Sequence, residues 1–423
     1  MNVIGSDRVS LDALCDLIAV QRHPADMPEA RYVGLEHVPS GRLRWAGVGK
    51  ASDMQSHKFA FQRNDVLYGK LRPYLDKAVL ADSDGLCTTE LLVLRARPEV
   101  SPRFLACVVH APDFITHAMA GVTGAHHPRT SWNHIADFEL PHYKPEAQQK
   151  IAALLWRIHD LIDACEASTG IARALRQASM RELFTSGLRG EPQRETEIGL
   201  LPSTWKVLRL DACAGVISTR MSYSELEAMQ PSATTDTVPV LGVKVSDMNR
   251  PGNEIELAHT GLTVPLDQTT AEYRCAPPET IIFPKRGAAI ATNKKRFTTA
   301  WTVFDPNVIG VRAGPRVNSR FLFHWFQNFD LRTITEPGPT PQLNKKNLDP
   351  LLVPVPTDMD EQREIVTILD AIDRKIDLHR RKRAVLDDLF KALLHKLMTG
   401  EIAVDQLDLS ALPATPVSEG ASA

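Results

Sequence analysis

The chain has 423 residues, 43% hydrophobic and 24% charged, with 49 basic against 51 acidic side chains and a formal charge of −2. That make-up suits a soluble globular protein of two or three domains. No apolar run approaches the ~18 residues of a membrane span, and the near-neutral balance is not that of a protein that coats nucleic acid.

From the start, "MNVIGSDRVSLDALCDL" lacks the basic and apolar regions of a secretory signal. Cys15, Cys87, Cys107, Cys165, Cys213 and Cys275 are scattered without a C-x-x-C pair. This argues against a zinc site or a disulfide scaffold and for reduced thiols in the cytoplasm. Residues 1–142 mix β-rich runs such as "ELLVLRA" with helix-like runs such as "PRFLACVVHA", the pattern of a compact α/β domain. Within them, "AGVGKAS" from Ala46 imitates a phosphate-binding loop. It has Arg44 where the first glycine belongs and Ala51 where Ser or Thr should follow the lysine, so it reads as a chance Gly-Lys. His126 and His127 have no second ligand pair at metal spacing and read as a loop that meets DNA or solvent.

A helical spacer is expected over 143–190, entered through the prolines of "LPHYKPEAQQ" and ended at Gly187 and Gly190. Its apolar seam is Ile151, Leu155, Ile158 and Ile162, after which the same positions turn small and polar: Cys165, Thr169, Ala172, Arg176, Ser179. Residues 191–203 read as a linker and 204–354 as a second α/β domain with the run "NVIGVRA". In this domain "PKRGAAIATNKKR", from Pro284 to Arg296, holds five basic residues and no acidic one. Such a run can neutralise phosphates or be a solvated loop.

A second spacer is expected over 355–402, entered through "VPVPTDMDEQ" and ended at Gly400. Its apolar positions are Ile365, Ile372, Leu386, Leu393 and Leu369, Ile376, Phe390, Leu397, two series spaced by seven and offset by four. That is a coiled-coil seam. It breaks at His379 and Arg383, inside "LHRRKR". The break can fix register, face DNA phosphates or an acidic partner, or be a solvated basic face. Residues 403–423 are Pro/Ser/Ala-rich and expected to be disordered.

The two spacers are copies. Gln148 aligns with Gln362, an offset of 214 (362 − 148), which also pairs Ile151 with Ile365, Leu155 with Leu369 and Leu183 with Leu397. The domains echo each other more weakly: "DVLYGKLRPYL" and "ETIIFPKRGAA" place Lys70 opposite Lys285, and "RFLACVVHAPDF" resembles "RFLFHWFQNFDL". Tandem copies of this kind predict an α+β chain: two tandem α/β domains separated by two long helices that pair as an antiparallel coiled coil with pseudo-two-fold symmetry. Each helix of about 37 residues is roughly 55 Å long, or about 16 base pairs of DNA.

The elements "DVLYGKLRPYLDKAVLADSDGLCTTELLVLR", "IIFPKRGAAIATNKKR", "IGLLPSTWKVLRL" and the proline-led "EQREIVTILDAIDRKIDL" resemble the specificity (S) subunit of Type I restriction–modification systems, over nearly the whole chain. The first copy departs from the pattern at "PEAQQKI", where Ala147 stands opposite Glu361. The resemblance implies two target-recognition domains, each reading half of a bipartite site in double-stranded DNA, and helices that dock two methyltransferase (M) subunits and serve motor–nuclease (R) subunits. It implies a non-catalytic chain, outside any membrane, that binds no cofactor itself. S-adenosylmethionine, ATP and Mg are expected on the partners. The residues agree: there is no Asn-Pro-Pro-aromatic run for amino-methylation and no Gly-rich loop placed for S-adenosylmethionine.

Arg and Lys read guanine, and Asn and Gln read adenine, in the major groove. The candidates in the first domain are therefore Lys70, Arg72 and Tyr74 in "GKLRPYL", and His126, His127, Arg129 and Ser131 in "GVTGAHHPRTSWN". In the second they are Lys285, Arg286, Asn293, Lys294, Lys295 and Arg296, with Gln342, Asn344, Lys345 and Lys346. Lys70 and Lys285 also fit a scaffold role, and Trp132 and Trp301 fit the core. Two other readings stand beside recognition: a coiled-coil scaffold or adaptor that never reads sequence, and an autonomous nuclease or methyltransferase.

Overall fold

A computed structural model describes residues 7–124, 126–230, 236–335 and 341–403; most of the expected disordered tail, 404–423, lies outside them. Helices α1 (Pro102–Val108), α2 (Pro145–Thr185), α3 (Ser319–Asn328) and α4 (Met359–Met398) carry the architecture. Pro145 opens α2, where its missing N–H costs nothing, and Gly187 follows α2 at φ +67° as Gly400 follows α4 at φ +77°. The chain folds as two compact units, Met1–Thr169 with Leu378–Ala423, and Gly170–Asp377. The division runs through both long helices rather than around them. An extended helix cannot enclose a core of its own, so each half-helix buries its apolar face on the domain beside it.

In the first unit, Cys15–Ile18, Leu91–Ala96, Val66–Gly69 and Ala78–Leu80 form an antiparallel sheet in that order. A second sheet runs Gln21–Arg22, Lys58–Phe61, Gly85–Cys87, Arg31–Val33, Gly49–Lys50. Gly49 and Lys50 are thus strand residues paired with Tyr32 and Arg31, not a phosphate cradle. The main core joins Tyr68, Phe104, Leu105 and Phe114 to Ile151, Leu155, Ile158 and Ile162 of α2 and to Phe390, Leu394 and Leu397 of α4. Here α2 and α4 run antiparallel: the Tyr143 hydroxyl, just before α2, donates to the Leu397 carbonyl, His159 packs on Phe390, and Arg383 pairs with Glu166. Leu386 and Leu393 are only partly buried, because Leu394 takes the inner position. The break at Arg383 is a charge ring. Arg383 lies 3.1 Å from Glu166 and 3.2 Å from Asp387, and Arg42 binds the same two carboxylates at 2.5 and 3.3 Å.

The second unit has a five-stranded sheet, Ala214–Ile217, Val308–Ala313, Ile281–Pro284, Arg296–Thr298, Glu256–Leu257, and a three-stranded one, Leu262–Asp267, Thr237–Val243, Trp301–Phe304. Trp205–Arg209 pairs with Leu352–Pro356. The expected linker contains a hairpin, Gln193–Thr196 against Gly199–Pro202. Gly199 at φ +107° lets the chain reverse there, and Leu201 is buried. Met180, Leu183 and Phe184 of α2 share a core with Phe321 of α3 and Ile365 and Leu369 of α4. Ile376 is buried but Ile372 is not, because Asp373 takes the interior position and binds Arg176 of α2 at 2.5 Å.

The repeated glutamine has a repeated task. Gln148 Oε1 accepts from the Ser101 N–H at 3.0 Å and its Nε2 donates to the Tyr143 carbonyl at 2.9 Å. Gln362 Oε1 accepts from the Asn318 N–H at 2.7 Å and its Nε2 donates to the carbonyls of Arg316 and Pro356 at 3.2 and 2.9 Å. Ser101 and Asn318 are the N-caps of α1 and α3. Each copied helix start therefore clamps a spacer to the helix of its own domain. Beside the clamp, Arg103 lies 4.6 Å over the Trp156 ring, and Arg320 binds Asp370 at 2.9 Å. Trp156 and Asp370 hold equivalent places in the repeat, so one contact is made as cation–π and once more as an ion pair.

Candidate nucleic-acid interface

In the first unit the strand Val66–Gly69 runs into Lys70, Leu71 and Arg72, and a single 3₁₀ turn, Pro73–Leu75, follows. Arg72 and Asp76 bracket that turn in the left-handed region at φ 52° and 50°. The Gly/His loop comes alongside and is laced to it by main chain. Thr130 N–H donates to the Lys70 carbonyl at 3.0 Å and Arg72 N–H donates to the Pro128 carbonyl at 2.7 Å. Leu71 and Arg129 form the β-bridge between these bonds. Both expected loops thus become one surface, with Tyr74 (53% exposed), His126, His127 and Ser131 outward and Lys70 and Arg72 half-buried. Arg129 is held by Glu90, with Nε to Oε2 at 3.0 Å, so its fork has a fixed direction. The stem of the loop is closed by His117 and His134. Their rings stack at 4.5 Å and each Nε2 reaches the other's carbonyl, at 2.9 and 2.7 Å. Gly121 is required there, since a Cβ would sit 2.1 Å from the His134 ring.

The second unit repeats this lacing residue for residue. Leu343 N–H donates to the Lys285 carbonyl and Gly287 N–H to the Pro341 carbonyl, both at 2.9 Å, with the bridge Arg286–Gln342 between. Gly287 takes the left-handed place of Arg72 at φ +69°. Lys285, Asn344, Lys345 and Lys346 line a cleft of about 480 Å³ together with Ser218, Thr219 and Phe304. Asn344 caps the short helix Lys345–Leu348, and Lys345 pairs with Asp349 at 2.8 Å.

Three of the candidates do not belong to this surface. Lys295 is 2% exposed and donates to Asn293 Oδ1 and to the Phe329 carbonyl; Arg296 is 8% exposed and donates to the carbonyls of Lys295 and Met248. Asn293, left-handed at φ 52°, also accepts from Leu331 N–H. All three hold the loop from behind, and the Lys294 ammonium is turned to Asn249. Ser218 and Thr219 carry no charge or motif that a sequence search would seize. Trp132 and Trp301 are partly buried and pack against their cores.

Among the described residues, His324, Asp370 and Asp373 bring ligand atoms within 4.8 Å of one another. Both carboxylates already have arginine partners, Arg320 at 2.9 Å and Arg176 at 2.5 Å, and burial lowers the His324 pKa. A divalent ion there would face two guanidiniums in a desolvated pocket, so the cluster is a structural ion-pair network.

Residues 279–388 match the family model described as Type I restriction modification DNA specificity domain. The Type I restriction enzyme EcoDI specificity subunit of Escherichia coli is 21% identical over 225 residues, 51% of this chain and 47% of that one. The MjaVIII specificity subunit of Methanocaldococcus jannaschii is 21% identical over 285 residues, 64% of each. The chain spans about half to two-thirds of the length of these relatives. In fold, it resembles the solved S subunit of a Type I restriction–modification system from M. genitalium, at TM-score 0.62 and 17% identity over 94% of this chain and 97% of that one. A chain from a structure of type I R-M complex assembly gives 0.52 at 19% identity, over 94% and 99%.

Proposed function

We propose that the chain is a specificity subunit of the Type I restriction–modification family, a non-catalytic subunit that reads a bipartite site in double-stranded DNA. One observation carries the reading: two domains hold the same pair of loops in the same backbone lacing and arm them with different side chains, Arg129 in one place and Gln342 in the other. Identical holders with different letters are what a split, asymmetric target requires. Arginine favours guanine and glutamine favours adenine.

In this proposal each domain reads one half-site, and α2 and α4 set the spacing between them. Two M subunits dock on the helices and methylate adenine, and R subunits join for restriction. S-adenosylmethionine, ATP and Mg belong to those partners, and the complex works in the cytoplasm. No helix among the described residues is long and apolar enough to cross a membrane. The test is long-read methylation profiling of a host with and without the gene. Loss of one split adenine-methylated motif is the expected result. An unchanged methylome would favour an adaptor that never reads sequence.

A further inference from the structure

The two recognition turns end alike. Asp76 closes Pro73–Leu75 and Asn293 closes the 3₁₀ turn Gly287–Thr292, both in the left-handed region and both with a side-chain oxygen turned inward. In the first domain that oxygen meets His110, two residues past α1 and 3% exposed. Nδ1 lies 2.6 Å from Asp76 Oδ1 and Nε2 lies 3.0 Å from the Ala78 carbonyl. A carbonyl can only accept, so Nε2 carries a proton. A second proton must lie between Nδ1 and the carboxylate, or two lone pairs would face each other at 2.6 Å. In the second domain the oxygen meets Lys295, whose Nζ donates to Asn293 Oδ1 at 2.9 Å and to the carbonyl of Phe329, the C-cap of α3, at 2.6 Å. Since α1 and α3 are equivalent helices, each turn is tied by a buried cation to the C-terminal end of the same structural helix. Different residues on opposite sides of the contact make the tie.

We propose that His110 and Lys295 are the positioning residues of the two recognition loops, each fixing how its domain presents its lysine–arginine pair (Lys70 and Arg72, Lys285 and Arg286) to its own half-site. The proposal rests on the recognition-subunit reading. Neither residue touches DNA; each acts through the residue that closes the turn.

The two ties respond differently to pH. Burial pulls the His110 pKa down, but the charge and hydrogen bond of Asp76, with the carbonyls of Ala78 and Arg42, outweigh it and the net shift is upward. A raised histidine contributes fully below its ordinary value, and the contribution is lost as pH rises through the folded value. Beside the pair stands the buried Tyr68 hydroxyl, which burial and Asp76 push up. Lys77 is turned to the Leu35 carbonyl at 2.6 Å. Burial lowers Lys295 to about 8, with Asp330 opposing and Arg332 assisting. A neutral amine still has two N–H donors for its two acceptors, so this tie survives deprotonation.

The experiment uses the full-length chain purified with its methyltransferase subunits, and duplex DNA carrying the motif found by methylation profiling with each base replaced in turn. His110→Gln should lower discrimination by about tenfold at one half-site and leave the other within about twofold, and Lys295→Met should do the reverse. Raising the pH should relax the His110 half-site alone in the wild type. Asp76→Asn can donate its amide to a neutral His110 and should keep discrimination while losing that pH dependence. Discrimination intact in both variants, or lost at both half-sites together, would overturn the proposal. If no split motif depends on the chain at all, the recognition reading itself fails and the proposal with it.

Discussion

Gln362→Ala is the sharpest test of how a spacer is joined to its domain. The side chain is fully buried and makes three hydrogen bonds, at 2.7, 3.2 and 2.9 Å. Alanine leaves the Asn318 N–H and the Arg316 and Pro356 carbonyls without these partners, at about 1 kcal/mol for each bond and more where the orphaned group stays dry. The total is about 3 kcal/mol, or a melting shift of about 6–12 °C for a unit of this size. Arg363→Ala, one residue on, removes only an exposed pair with Asp360 and should cost under about 0.5 kcal/mol. Thermal melts of the full chain measure both, and amide exchange should rise at the start of α3 in Gln362→Ala alone. A Gln362→Ala protein that melts within about 2 °C of wild type, with exchange at 318–321 unchanged, would refute the clamp.

Lys285→Ala should weaken binding to every DNA sequence alike and reduce the slope of log affinity against log salt by about one, read by fluorescence anisotropy over a salt series. Inserting seven residues into each of α2 and α4 adds about 10 Å, so the spacer of the methylated motif should lengthen by about three base pairs. An unaltered spacer would end the idea that the helices measure distance. All six cysteines are buried, with Cys15 and Cys107 pushed up to about 12 and Cys213 and Cys275 to about 11. The folded chain should therefore resist a thiol reagent at pH 8, and all six should react once it is unfolded in denaturant.

Much of the architecture was legible because duplication writes itself twice. The offset of 214 located both helices and pointed to equivalent glutamines, although not to what those glutamines bind. The loops around Lys70 and Lys285 were legible from glycine, basic residues and the weak echo between domains. What misled was charge. In "NKKR" the residues Lys295 and Arg296 read as phosphate-neutralising, yet they are buried on backbone carbonyls contributed by Phe329 and Met248, far away in sequence. A run of basic residues looks the same in one dimension whether water or a carbonyl receives it. The heptad pattern failed for a similar reason: at Asp373 a paired ion occupies the inside position that spacing assigned to Ile372. His110 and Asp76, 34 residues apart in unrelated segments, gave no local signal.

The lacing of the recognition loops has a consequence for how such a protein changes over generations. Its bonds run from N–H to C=O, and Pro128 and Pro341 contribute carbonyls while having no N–H to pair wrongly. These main-chain bonds do not depend on which side chain stands at 129 or 342, although Arg129 adds its own bonds to Glu90 and to the His127 carbonyl. A substitution at 342 leaves the main-chain frame standing, whereas one at 129 also gives up the pairing with Glu90, so the two loops differ in how freely that position can change.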